Sequence, residues 1–191
     1  FNGTAGIWRR QAIEDAGGWQ HDTLTEDMDL SYRAQLRGWR FVYLPDIAAP
    51  AELPVEMNSF KSQQFRWAKG SVQVAKKLLT TILRSAVPRT VKLEAFFHLT
   101  NNAAYPLMLL LCVLLVPNLI VRTEHGVREV LLIDLPLFFG TTLSIASFYI
   151  VSQREIAPNG TWRALRHLPW VMAMGIGLCV NQTRAVFEAL L

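Results

Sequence analysis

The spacing of apolar and polar positions changes character part-way along the chain. Up to about residue 95 apolar and charged residues intermingle, as in a water-soluble protein; from residue 98 onward long uncharged runs dominate. In the first stretch, Arg9–Ala16 predicts a short helix ended by Gly17-Gly18, and Phe1–Trp8 reads as a turn and short strand around Gly3 and Gly6. Thr25 stands where an N-cap belongs, Glu26 and Asp27 fall in the first turn of a second helix, and Gly38 closes it. Trp39–Leu44 (WRFVYL) is aromatic and β-branched, which predicts a strand stopped by Pro45. A helix followed by a strand, with glycine between them, indicates α/β architecture.

Residues 59–86 predict one long amphipathic helix. Ala68, Val72, Ala75, Leu79, Ile82 and Ala86 recur at helical spacing, with Lys69, Gln73, Lys76, Lys77, Thr80 and Arg84 opposite them. Such a basic helix suits a membrane surface, and the same pattern also serves a helix packed on a protein core. Ala103–Val121 and Val130–Val151 are each about as long as a bilayer core requires, ~20 residues. With the short polar link between them they form a transmembrane hairpin. The loop 152–167 carries Arg154, Arg163 and Arg166 against Glu155, which places it on the cytoplasmic side with the first stretch. Leu168–Val180 is shorter than a span and suits an interfacial or re-entrant helix. The chain therefore divides into 1–58, 59–97, 98–151 and 152–191.

Composition adds little to this picture. The 191 residues carry a net charge of +4. The basic residues Lys69, Lys76, Lys77, Arg84, Arg89 and Lys92 gather ahead of the first apolar run, so they point to membrane topology and not to nucleic acid. Cys112 and Cys179 both sit in apolar runs and read as buried free thiols. With no signal peptide and an opening in mid-strand character, the sequence reads as a fragment whose N-terminal part is missing.

Three clusters carry candidate chemistry. Thr25-Glu26-Asp27 complements a helix dipole, and two adjacent acids also suit a general base. Asp27 and Asp29, two apart on a helix, point away from one another and make a poor metal pair. Gln63, Arg66 and Trp67 share one helix face. Arg offers a permanent planar fork to pyrophosphate, Trp a flat face to a sugar, and Gln a donor and acceptor to hydroxyls. Equally, Trp67 could be core and Arg66 a surface charge. Asn2, Gly3 and Thr4 combine close backbone approach with hydrogen-bonding side chains.

The order and spacing of FNGT, TED and QQFRW, followed by paired apolar helices, resemble the family 2 processive glycosyltransferases: cellulose synthases, hyaluronan synthases and especially the mannan and glucomannan synthase branch. The resemblance covers nearly all the chain. It implies the C-terminal part of a GT-A-type, Rossmann-like α/β domain, then an α-helical membrane region in the plasma membrane with the catalytic part cytoplasmic. It also implies that Asp27 is the general base and that Thr25, Glu26, Asn2, Gly3, Thr4 and Trp67 bind the acceptor. Gln63 and Arg66 would hold the donor pyrophosphate. The substrate would be a nucleotide-sugar, GDP-mannose or UDP-glucose, and the product a growing β-linked glycan. A Mg²⁺ or Mn²⁺ ion is implied, with ligands upstream of this chain. Leu168–Leu191 would be an interfacial helix leading to a gating loop. Phe65 departs from the pattern, where related sequences often carry His. A non-processive transferase and a catalytically silent membrane homologue remain the alternatives.

Overall fold

In the computed structural model, which describes residues 3, 5–44, 46–122, 130–156 and 160–191, all regular structure among the described residues is helical. The helices are α1 (Arg10–Asp15), α2 (Glu26–Leu36), α3 (Met57–Arg84), α4 (Arg89–Thr100), α5 (Ala104–Arg122), α6 (Leu135–Ile156), α7 (Thr161–Gly177) and α8 (Cys179–Leu190). A 3-10 turn, Asn101–Ala103, joins α4 to α5, and a π-helical turn, Val130–Asp134, leads into α6. Two compact units result: Phe1–Leu107 with Val180–Leu191, and Met108–Cys179.

In the first unit, α1 and α2 end where their glycines require. Beyond α2, the Gly38 N–H bonds the Gln35 carbonyl at 2.9 Å and the Trp39 N–H bonds the Ala34 carbonyl at 3.1 Å. This is a Schellman closure, and Gly38 takes its left-handed position at φ +89°. Gly17 and Gly18 close α1 in the same way on Glu14 and Ile13. Leu30 and Ala34 of α2 then pack with Ala16, against Trp8, Ile13 and Trp39.

The strand expected over Trp39–Leu44 does not form. The segment is irregular, and Val42 and Tyr43 are 81% and 88% exposed. Aromatic and β-branched residues fit a pleated surface but do not impose one, and no partner strand lies among the described residues. The described part of Phe1–Trp8 forms no strand either, and Phe1 and Pro45 lie outside the described residues. The α/β expectation is thus corrected to helix alone for the described part of this chain.

The apolar stripe of α3 is covered by protein. Val74, Leu78 and Ile82 bury against Ala95 and Leu99 of α4, and Met28, Tyr32 and Leu36 of α2 close the cluster. Val72 packs on Val186 and Ala189 of α8. Each such side chain, fully buried, contributes about 1.5–3 kcal/mol. Ala86, assigned to the stripe by periodicity, lies past the end of α3 and is exposed.

The second unit continues the first of two apolar helical stretches and holds the whole of the other. Two helical stretches, Arg89–Asn118 and Leu135–Ile156, are long and apolar enough to cross a membrane, and only 6% of each tested window is buried within the protein. A core helix of a water-soluble protein would be mostly covered. The first stretch starts earlier than the run read from sequence, because the 3-10 turn carries the helical path back into α4. Within this unit α6 packs on α7. The run expected as one helix over Leu168–Leu191 is divided at Leu178, whose N–H bonds the Met174 carbonyl at 3.0 Å. Gly175 and Gly177 precede the break, and glycine costs about 1 kcal/mol relative to alanine in a helix interior. Neither Cys112 nor Cys179 is in a disulfide; Cys179 is buried, whereas Cys112 is exposed on α5. The polar link 123–129 and residues 157–159 lie outside the described residues.

Candidate active site

One face of α3 organises the turn that carries Thr25, Glu26 and Asp27. Gly70, Gln73 and Lys77 recur at helical spacing on that face. A Cβ on Gly70 would stand 2.5 Å from Thr25 Cγ2, 2.7 Å from its Oγ1 and 2.9 Å from its backbone nitrogen. Only glycine allows this approach. Gln73 Oε1 accepts the Leu24 N–H at 2.9 Å. Lys77 Nζ donates to Gln20 Oε1 at 2.5 Å and Asp22 Oδ1 at 2.9 Å. The Lys77 hydrogen bond holds the exposed Asp22 carboxyl below its ordinary range. Gln73 and Lys77, on the polar face opposite the apolar stripe, are ties between elements and not a solvated surface.

Thr25 occupies the N-cap position of α2, but its side chain makes no capping hydrogen bond. Pressed by Gly70, its hydroxyl is buried and unpartnered among the described residues. Gly70→Ala tests this packing. The added methyl improves helix propensity by about 1 kcal/mol, and overpacking costs about 1–3 kcal/mol. The expected result is a melting temperature lowered by a few degrees with a several-fold loss of activity, because the displaced atoms belong to the turn before Asp27. Unchanged activity would remove the role given to Gly70.

Asp27 and Asp29 face different surroundings. Gly3, at φ +82°, lies directly on Asp27: a Cβ there would stand 2.6 Å from Asp27 Oδ2. The first motif thus meets the second at this carboxylate, which is half-buried. Glu26 beside it is exposed, and Asn2 and Thr4 lie outside the described residues. Asp29 is fully buried and holds the fold together. Its Oδ2 accepts Arg33 Nε at 2.8 Å, and Lys77 Nζ stands 2.9 Å from its Oδ1. Arg33 also donates to the carbonyls of Ala16 and Gly18, tying α2 to the end of α1. Among the described residues no group of three or more His, Cys, Asp or Glu side chains stands close enough to hold a metal.

Gln63, Arg66 and Trp67 lie within two turns N-terminal to Gly70 on the same helix. Gln63 is half-buried, and Arg66 is exposed with no ion pair among the described residues, so its guanidinium is open to an anion. Trp67 is 49% exposed, a ring neither committed to the core nor stripped of support. It lines a cavity of ≈280 Å³ that Met28, the neighbour of Asp27, also lines. The 2.7 Å hydrogen bond between Tyr32 and His98 Nδ1 ties α2 to α4 below this cavity. Burial and the nearby Glu94 push the Tyr32 phenol up to about 12, so it stays neutral.

Sequence reasoning missed α8, which docks along α3. Glu188 accepts Lys69 Nζ at 3.0 Å and Arg184 Nε at 2.7 Å. Lys76 Nζ donates to the carbonyls of Ala189 and Leu190, both at 2.9 Å, where a cation complements the helix terminus. Asn181 Nδ2 donates to the Lys61 carbonyl at 3.0 Å. Phe65 has Lys69 and Arg184 6.0 and 5.7 Å from its ring centre, so the aromatic departure at this position has cationic partners. No local pattern in the sequence signals this docking, because Lys69 and Lys76 meet acceptors more than a hundred positions away.

The hydrogen bonds from Lys69 and Arg184 lower the Glu188 pKa from its ordinary 4.5. A lowered carboxylate adds stability that is present above the unfolded pKa and is lost as pH falls through the folded one. The docking of α8 is therefore expected to loosen as pH drops below that ordinary value. Hydrogen-exchange protection of residues 179–190 should fall modestly there, and Glu188→Gln should flatten the dependence. Protection that is independent of pH in the wild type would discard this role.

The pattern of glycosyl transferase family group 2 matches residues 2–175. The chain belongs to this family. Among similar curated proteins, glucomannan 4-beta-mannosyltransferase 1 of Oryza sativa subsp. japonica is 49% identical over 85 residues, 44% of this chain and 16% of the relative. The protein of the same name from Cyamopsis tetragonoloba is 37% identical over 140 residues, 71% of this chain and 27% of the relative. Glucomannan 4-beta-mannosyltransferase 2 of Arabidopsis thaliana is 44% identical over 109 residues, 55% of this chain and 20% of the relative. The chain thus spans no more than about a quarter of the length of these relatives. No solved structure matches it.

Proposed function

We propose that this chain is the acceptor-side part of a membrane-embedded, inverting glycosyltransferase that polymerises a β-linked mannan or glucomannan from GDP-mannose. The observation that carries the reading is the junction of the motifs: Gly3 lies on the Asp27 carboxylate, and Gly70, on the helix of Gln63, Arg66 and Trp67, lies on Thr25. The family and the names of the relatives support the mannosyl donor.

In the reaction, Asp27 takes the proton from an acceptor hydroxyl as that oxygen attacks the anomeric carbon of the donor. The bond to the diphosphate breaks on the opposite face, which inverts the configuration and leaves a β-linkage. Arg66, with Gln63 beside it, stabilises the departing pyrophosphate, because the open guanidinium meets charge that develops there. Trp67 stacks on the acceptor sugar, while Glu26, Thr25 and the segment Asn2–Thr4 shape its pocket. The complete catalytic domain is of the GT-A α/β type and works on the cytoplasmic side of the plasma membrane, exporting the glycan through its helices. Its divalent cation, Mg²⁺ or Mn²⁺, takes ligands outside this chain.

The test uses the full-length parent enzyme in membrane vesicles, supplied separately with labelled GDP-mannose and UDP-glucose. Insoluble β-linked polymer from GDP-mannose is the expected product. Transfer of single sugars would replace this reading with a non-processive transferase, and consumption of neither donor would favour a silent homologue.

A further inference from the structure

Gln182 is 2% exposed, and its amide oxygen is buried without a hydrogen-bond partner among the described residues. Packed interiors seldom leave such an oxygen unpaired, because the group forfeits its hydrogen bonds to water and gains nothing in return. The residue lines the ≈280 Å³ cavity together with Gln64, Trp67, Asn101, Asn102 and Tyr105. All six belong to the first unit. They come from α3, the 3-10 turn, the start of α5, and α8.

The lining selects among ligands. None of the ten lining residues carries a permanent charge, and burial lowers the pKa of His98, the one ionisable imidazole among them, so the cavity does not suit a diphosphate. Four carboxamides make it equally unsuited to an acyl chain, which would leave each of them unpaired. An indole face beside several amides and a phenol suits a neutral, hydroxyl-rich ring. The volume is close to the lower end of small-molecule sites, about 300 Å³.

We infer that Gln182 accepts a hydrogen bond from a hydroxyl of an acceptor-glycan hexose stacked on Trp67, which makes it a specificity-determining residue for the acceptor. This rests on the polymerising reading above, and it adds to that reading a residue from α8, a helix contributed by a remote part of the chain.

Gln182→Met decides the matter, because methionine has a similar shape and no strong acceptor. If the amide were only structural filler, Met would melt at the same temperature or higher and leave kinetics unchanged. If it reads the acceptor, Met still melts at the same temperature or higher. The full-length enzyme then shows an acceptor KM raised about tenfold for mannotetraose, equivalent to about 1.4 kcal/mol, with the GDP-mannose KM unchanged. Gln182→Asn, which keeps the amide on a shorter arm, should give an intermediate value, and it carries the test if the Met variant does not fold. An unchanged acceptor KM in the folded variant overturns the inference, and Trp67→Ala then shows whether the rest of the cavity still binds glycan. Wild type that consumes GDP-mannose but adds only single sugars to mannotetraose and forms no polymer refutes the polymerising reading first, and is visible without any variant.

Discussion

Asp27→Asn in the full-length enzyme is expected to lower polymer synthesis by about 10²- to 10⁴-fold, the range that positioned general bases contribute. Asparagine keeps the size of the side chain and its place beneath Gly3 but cannot take a proton. The half-buried carboxylate makes no ion pair among the described residues, so its replacement leaves the packing of α2 intact. The melting temperature of the detergent-solubilised variant should match wild type, and GDP-mannose should still bind, since Arg66 and Gln63 are untouched. Labelled-polymer assays and a donor-binding titration separate these effects. Retention of more than about a tenth of wild-type activity is incompatible with the Brønsted role assigned here.

Asp29→Asn, two residues away, should behave in the opposite way. Asp29 is fully buried between Arg33 and Lys77, and Arg33 in turn holds the end of α1. Removing its charge leaves the nearly buried Arg33 without its carboxylate and Lys77 with Asp22 alone, and breaking a buried pair in this way costs about 3–5 kcal/mol. The variant should melt many degrees lower, and whatever activity it loses should follow its folded fraction. Thermal melts of the two variants side by side make the comparison. A normal melting temperature with lost activity for Asp29→Asn would move the chemistry from Asp27 to Asp29.

The contrast between these neighbours also marks how far the sequence was legible. Their spacing already says that they diverge, because residues two apart on a helix face about 200° from one another. It does not say which of them faces the substrate. The helical elements were legible for the same local reason. Glycine closures ended α1 and α2, a 3.6-residue period revealed α3, and uncharged length revealed the two membrane-crossing candidates. Local signals misled at Trp39–Leu44, where a strand-like composition met no partner strand among the described residues.

In the candidate site, the motif residues Thr25, Glu26, Asp27, Gln63, Arg66 and Trp67 stood out by type and spacing. Gly70, Gln73 and Lys77 did not, because a glycine in a helix and two polar residues on its face look like ordinary solvent exposure. The same holds for Gln182, one amide in a segment read as part of an interfacial helix.

Taken alone, the sequence determined where α1 and α2 begin and end, which runs are apolar enough for a bilayer, and which residue types are available for glycosyl transfer. These follow from backbone and side-chain preferences that act within a few residues. Only the tertiary structure decided that Gly3 sits on Asp27, that Gly70 sits on Thr25, and that α8 returns to brace α3. Those contacts join residues 24 to more than 100 positions apart, and their geometry depends on volumes and orientations that no local preference encodes.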